Sequence, residues 1–147
     1  MLEVAVSNGI GIEATNPHVD NSVQRWLPPS HSALKLNVDA AWDKDSLTAG
    51  LGAVIRDKNG KFIRGAGKVR LASSPIEAEA HAALNGLEVA SDLGNIHLEC
   101  ESDSRELIQS IKGNICRGRW TIYPILTALK EKSRWFVWSG RRVCLLP

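Results

Sequence analysis

Cysteine is scarce in this chain: three in 147 residues, Cys100, Cys116 and Cys144. No two are spaced as a CxxC pair and an odd number leaves one over. That argues against a disulfide framework or a zinc knuckle and suits a reducing compartment. The expected location is therefore intracellular, nuclear or cytoplasmic. Long apolar runs are missing too, so no segment is long enough to span a bilayer and no membrane partner is expected. The first residues lack a basic stretch followed by an apolar block, which leaves no secretory signal to read. There is no internal repeat and no low-complexity tract. No Ser or Cys has a partnered base in view, so a covalent mechanism has no support. His81 and His97 fall at no ligand spacing and read as surface groups.

What is present suits one domain with a real core. The net charge is only +2, but it is unevenly spread. Residues 112–147 carry eight Lys and Arg against Glu131 alone, so the part before them is net acidic. An acidic site beside a basic segment fits a protein that handles polyanions; a solvated helix face with a basic tail gives the same pattern. Trp120, Trp135 and Trp138 lie near basic residues and could stack on bases, but their places at the edges of apolar segments favour core positions.

Residues 1–30 show no sustained period, and Asn8-Gly9, Asn16-Pro17 and Pro28-Pro29 are turn or linker signals. This stretch is expected to be a leader, docking through Trp26, and residues 31–147 the domain proper. Leu34, Leu36, Val38 and Ala40 alternate with Lys35, Asn37, Asp39 and Ala41, a strand of period two with Asp39 on its polar side. Gly50–Ile55 and Lys61–Val69 read as two more strands around the hairpin turn Asp57-Lys-Asn-Gly60. A helix follows, capped by Ser74, with Pro75 at its first position and Glu77 completing a capping box. Its apolar stripe is Ile76, Ala80, Ala83, Leu84, Leu87 and Ala90. Glu79 borders that stripe, whereas Glu77, His81, Glu88 and Asp92 face water. After Gly94-Asn95, the segment Ile96–Glu101 alternates as a fourth strand, with Ile96, Leu98 and Cys100 apolar and His97, Glu99 and Glu101 polar. Asp103 sits where it hands over to a helix, Ser104–Ile111. Gly113–Gly118 is a loop, Thr121–Lys132 a further amphipathic helix, and Trp135–Trp138 a last short strand. The order βββαβααβ makes an α/β layered domain.

Asp39, Glu79 and Asp103 stand out, because carboxylates do not gather in a protein without something to neutralise them. Oxygen ligands without His or Cys suit Mg²⁺ or Mn²⁺ rather than zinc. Each residue has an ordinary reading as well. Asp39 could be an edge-strand charge, although mid-strand Asp is disfavoured. Glu79 could be one more exposed helical Glu. Asp103 could cap the helix after it, with Glu106 as box partner.

The order and spacing of these acids, with Trp26-Leu-Pro-Pro29, Lys35-Leu-Asn-Val-Asp39, Gly50–Asp57, Asn59-Gly60, Ala78-Glu-Ala80 and Glu101-Ser-Asp-Ser104, closely resemble the plant retroelement-derived, reverse-transcriptase-like branch of the type 1 RNase H family. The resemblance runs over about residues 26–138. It implies an RNase H-like fold: a five-stranded mixed sheet, three antiparallel strands and then two parallel additions, with helices on its faces. It further implies a monomeric enzyme that cuts the RNA strand of RNA–DNA hybrids. Two Mg²⁺ ions would be bridged by Asp39, with Glu79 and Asp103 completing the shell, one ion activating water and the other stabilising the leaving 3′ oxygen.

One departure from the family is plain. The family carries a fourth acid after the last strand, in a segment like Arg-x-x-Asn-x-x-Ala-Asp that opens a C-terminal helix. Here the residues are Trp138-Ser-Gly-Arg-Arg-Val-Cys-Leu-Leu-Pro147. The resemblance thus implies a domain incomplete at its C-terminus, as a truncated or frame-shifted copy would be, without the final helix and with impaired turnover, or else a catalytically silent nucleic-acid-binding module. Val143–Leu146 would be a partial substitute for the lost packing.

Overall fold

The structure, a computed structural model, describes residues 25–30, 32–94, 96–113, 120–133 and 136–139. The expected leader up to residue 24, most of the Gly113–Gly118 loop, Trp135 and the segment after Ser139 lie outside the described residues.

Three strands come first: β1 (Leu34–Asp43), β2 (Thr48–Arg56) and β3 (Phe62–Leu71). They are followed by α1 (Pro75–Ser91), β4 (Leu98–Ser102), α2 (Arg105–Lys112), a 3₁₀ turn (Trp120–Ile122), α3 (Tyr123–Lys132) and β5 (Val137–Ser139). The strands form a single sheet in the order β3-β2-β1-β4-β5, antiparallel on the β3-β2-β1 side and parallel from β1 through β4 to β5. This is the expected five-stranded mixed sheet.

Local chemistry explains the punctuation. In the β2–β3 hairpin the Asp57 carboxylate accepts the Asn59 and Lys61 N–H groups at 2.8 and 3.0 Å, and Gly60 takes φ +76°. That backbone conformation costs glycine nothing. At the start of α1, Ser74 Oγ accepts the Glu77 N–H at 3.3 Å. The Glu77 carboxylate bonds the Ser73 N–H at 3.1 Å, so the box closes one residue before the cap. The helix expected from Thr121 begins with the 3₁₀ turn and becomes α-helical only at Tyr123, with Pro124 in its first turn.

Helix α1 packs on β1, β2 and β3 and is flanked by α2 and α3. It is therefore buried on more than the single stripe its sequence suggests. Ala78, Ala82 and Gly86 join Ile76, Ala80, Ala83, Leu87 and Ala90 in the core. Small side chains let the helix lie close to the sheet. A Cβ on Gly86 would meet Val38 Cγ1 at 2.6 Å and both Leu36 Cδ atoms at 3.1 Å.

Several exposure expectations are corrected. His81 is buried rather than in water, with Nε2 3.6 Å from Glu77 Oε1 one helical turn back. Trp138 is core, but Trp120 stands 82% exposed. On the polar side of β1, Asp39 is exposed as its parity suggests, yet Lys35 and Asn37 are buried, as is Glu101 of β4. These three share the sheet face turned away from Leu36 and Val38, which pack under α1. The cover over them is Arg25–Ser30, anchored through Trp26 as expected: its indole N–H donates to Asn37 Oδ1 at 3.1 Å.

Replacing Gly86 by Ala tests the helix–sheet contact. Alanine is the better helix former by about 1 kcal/mol. The clash with Val38 and Leu36 should outweigh this and give a net loss of about 1–3 kcal/mol in chemical denaturation. A more stable variant would contradict the close approach.

Candidate metal centre

Each of the three acids is delivered by a different element. Asp39 projects from the middle of β1, Glu79 from the second turn of α1, and Asp103 follows the last residue of β4. Strands β1 and β4 pair in parallel only from Leu34↔Leu98 to Val38↔Ser102. Asp39 and Asp103 are the next residue on each side, so both stand where the ladder ends. Crevices at the carboxyl ends of parallel strands are the usual place for sites in such sheets. One carboxylate oxygen from each of Asp39, Glu79 and Asp103 lies within 4.8 Å of the other two. The capping alternative for Asp103 does not hold. Ser104 is the N-cap of α2, its Oγ accepting the Leu107 N–H at 3.2 Å.

The electrostatics of the cluster are those of like charges held together. Burial, then the Asp103 and Asp39 charges, push the Glu79 carboxyl up to about 8. Its Oε2 is buried with no hydrogen-bond partner. Asp39 is raised as well, first by partial burial and then by Asp103, although the Ala40 N–H bonds its Oδ1 at 2.9 Å. Among the described residues no Lys or Arg forms an ion pair with any of the three. A divalent cation fits this set: all donors are carboxylate oxygens, and one is an orphan. Oxygens on opposite sides of Mg²⁺ stand about 4.2 Å apart, so a spread of at most 4.8 Å closes with a small side-chain adjustment.

Comparison with known proteins places the site in a family. The sequence profile described as reverse transcriptase-like matches residues 37–130, which include all three acids. The chain belongs to the reverse transcriptase-like family. A search of curated proteins finds no match. Among solved structures, this reverse transcriptase-like domain is similar to LC11-RNase H1, isolated from compost by a metagenomic approach. The TM-score is 0.68 at 17% identity, over 76% of this chain and 85% of that one. It is also similar to RNase H1 from the halophilic archaeon Halobacterium salinarum NRC-1, with TM-score 0.64 and 21% identity over 73% and 82% of the two chains. A third similar structure is LC11-RNase H1 in complex with an RNA/DNA hybrid, with TM-score 0.65 and 17% identity over 72% and 83%. At these identities the likeness shows the fold: the domain is RNase H-like.

A groove of about 360 Å³ runs along the same sheet face, lined by Asp39, Asp103, Asn37, Glu101 and the small residues Gly50 and Gly52. Beside the acids lies a polar network that the alternation pattern did not disclose. Lys35 Nζ is 3.3 Å from Glu101 Oε1, and Asn37 Nδ2 donates to Glu101 Oε2 at 2.9 Å. The one signal for it is parity: Lys35 and Asn37 share a side with Asp39, and Glu101 with Asp103. Of the basic segment, Lys112, Lys130 and Lys132 are described, while the arginines at 117, 119, 134, 141 and 142 lie outside the described residues.

The raised Glu79 pKa makes stability depend on pH. The folded state keeps a proton that the unfolded chain has lost above about pH 4.5. This stabilisation is whole below that value and is lost as pH rises through about 8. The depressed pKa of buried His81 acts in the opposite sense, but that effect is complete by about pH 6.5–7. In metal-free buffer, urea unfolding should therefore show about 1 kcal/mol less stability at pH ~8.5 than at pH ~7. Glu79→Gln should remove most of this difference, and an equal slope in that variant would trace it to another group.

Proposed function

We propose that this domain cuts the RNA strand of RNA–DNA hybrids with a divalent cation, Mg²⁺ or Mn²⁺, held by Asp39, Glu79 and Asp103. One observation carries the reading: the Glu79 carboxyl is partly buried between two other carboxylates with an orphan oxygen and, among the described residues, no Lys or Arg paired with it. A purely structural cluster would be relieved by an amide, a Lys or an Arg. Family membership supports the reading, as does the RNase H1 of the same fold that has been solved with an RNA/DNA hybrid.

The residues divide the work. Asp39 and Asp103 are the exposed members and line the groove where a phosphodiester could approach. Glu79, anchored on a helix packed tightly to the sheet, holds a proton at neutral pH in the cation-free protein. It must release that proton before all three carboxylates act together. Asp103, free of capping duty, closes the set from the β4 side. A cation bound here supplies Lewis-acid charge to the scissile phosphate and makes water a better nucleophile. No side chain of the protein need form a covalent bond to the substrate.

A second reading keeps the fold and the hybrid partner without turnover. What favours it is the count of three carboxylates at the site among the described residues, where the resemblance implies four.

Incubating a labelled hybrid with Mg²⁺ separates the two. Cleavage that falls about 100-fold or more in Asp39→Asn is the expected result, as for loss of a group that stabilises developing charge. Salt-dependent hybrid binding with no cleavage would establish the binding module instead. Cleavage unchanged by Asp39→Asn would remove these residues from the chemistry.

A further inference from the structure

The network beside the cluster uses an expensive device. Lys35 and Glu101 are an ion pair with side chains only 5% and 2% exposed. Burying two charges costs more than an apolar pair of the same volume, so stability alone does not explain its presence; fixing a register is the best-attested use. The other contacts are arranged to the same end. Asn37 stands opposite Glu101 across the β1–β4 ladder and is held at both ends of its amide, by the Trp26 indole and by Glu101. Lys35 also donates to the Leu27 carbonyl at 2.6 Å, and its ammonium lies 5.6 Å from the Trp26 ring centre. The Ser30 N–H bonds Glu99 at 2.8 Å, so the strap from Trp26 to Ser30 joins β1 to β4.

Position gives this network its consequence. Asn37 and Glu101 each lie two residues before a cluster acid, on the same side of the strand. The parallel ladder has only five rungs. A slip of one residue would send Asp103 to the opposite face, because side chains alternate with period two. It would also pull Glu101 away from Lys35 and leave a buried carboxylate bare.

We propose that Trp26, Lys35, Asn37 and Glu101 are positioning residues for the carboxylate cluster: they lock the β1–β4 register and thereby set the distance between Asp39 and Asp103. The inference rests on the reading that the cluster binds a divalent cation. It assigns the strap ahead of β1 a part in that binding although the strap contributes no ligand.

The test is Mn²⁺ binding to the full chain, read from the loss of the free-ion electron paramagnetic resonance signal, with thermal melting as the control for folding. Lys35→Met combined with Glu101→Leu removes both charges and leaves neither unpaired; only two neutral groups, the Asn37 amide and the Leu27 carbonyl, lose a partner. The folded double variant should bind Mn²⁺ about tenfold or more weakly, the usual effect of losing partners behind metal ligands. Trp26→Phe keeps a ring beside Lys35 but loses the indole N–H. It should weaken binding about threefold, a smaller effect of the same kind. A network that only stabilises would lower the melting temperature and leave the affinity of folded molecules unchanged. Wild-type affinity in the folded double variant would overturn the proposal. If that variant does not fold, unchanged affinity in Trp26→Phe overturns it. Failure of the wild type to bind Mn²⁺, or binding indifferent to Asp39→Asn, would overturn the cation reading and this inference together. Binding that depends on Asp39 but not on the network overturns the inference alone.

Discussion

Mutual repulsion among three carboxylates at one end of a short parallel strand pair is the constraint around which the site is organised. Left in water, such groups would move apart. Here each is carried by a different packed element, which holds their backbones together. Glu79 is the most constrained, because α1 lies against Leu36 and Val38 at Gly86 and is closed in by α2 and α3. Burial first, and then this repulsion, hold a proton on Glu79 well above the ordinary pKa of a carboxylic acid. On the proposed reading, a divalent cation would relieve this, since it would replace one proton with two charges.

The alanine content of α1 belongs to the same account. A helix with larger apolar side chains would stand further from the sheet, at the usual spacing of such layers. Ala78, Ala80, Ala82, Ala83 and Gly86 bring its axis in. Glu79, with one methylene more than Asp, then reaches the end of the β1–β4 ladder from the helix layer. Packing density and ligand geometry are therefore set by the same residues, and a substitution that loosens the contact also moves a carboxylate.

Much of this could be read from the chain. The period-two alternation of Leu34–Ala41 placed Asp39 on the solvent side of β1, and Ser74, Pro75 and Glu77 marked the start of α1. The border position of Glu79 on its apolar stripe followed from helical spacing. What could not be read has a common cause. Alternation tells which residues share a face, not what covers that face. Lys35, Asn37 and Glu101 look like solvent-side residues until the strap from Trp26 is laid over them. His81 looks exposed by its place on the helical wheel until α1 turns out to be packed on several sides. Trp120 fails the other way: an indole beside apolar residues suggests a core position, but it belongs to a 3₁₀ turn whose only buried residue is Ile122.

Two kinds of acid on this sheet, the buried Glu101 and the exposed Asp39 and Asp103, show how the site differs from its surroundings. Glu101 and Asp103 are two residues apart and point to the same face. Glu101 is answered by the ammonium of Lys35 and the amide of Asn37, a complete pairing that leaves no demand for anything from outside. Two residues further along each strand, just past the last pair of the ladder, Asp39 and Asp103 have Glu79 for company and, among the described residues, no Lys or Arg within ion-pairing distance. The same strands thus supply an internal counterion within the ladder and, among the described residues, none just past its end. Had folding stability been the sole constraint, the acids past the ladder could have been satisfied as Glu101 was. The contrast of an unanswered charge beside a neutralised one supports the proposed cation site, and donors that are all oxygens suit a hard cation.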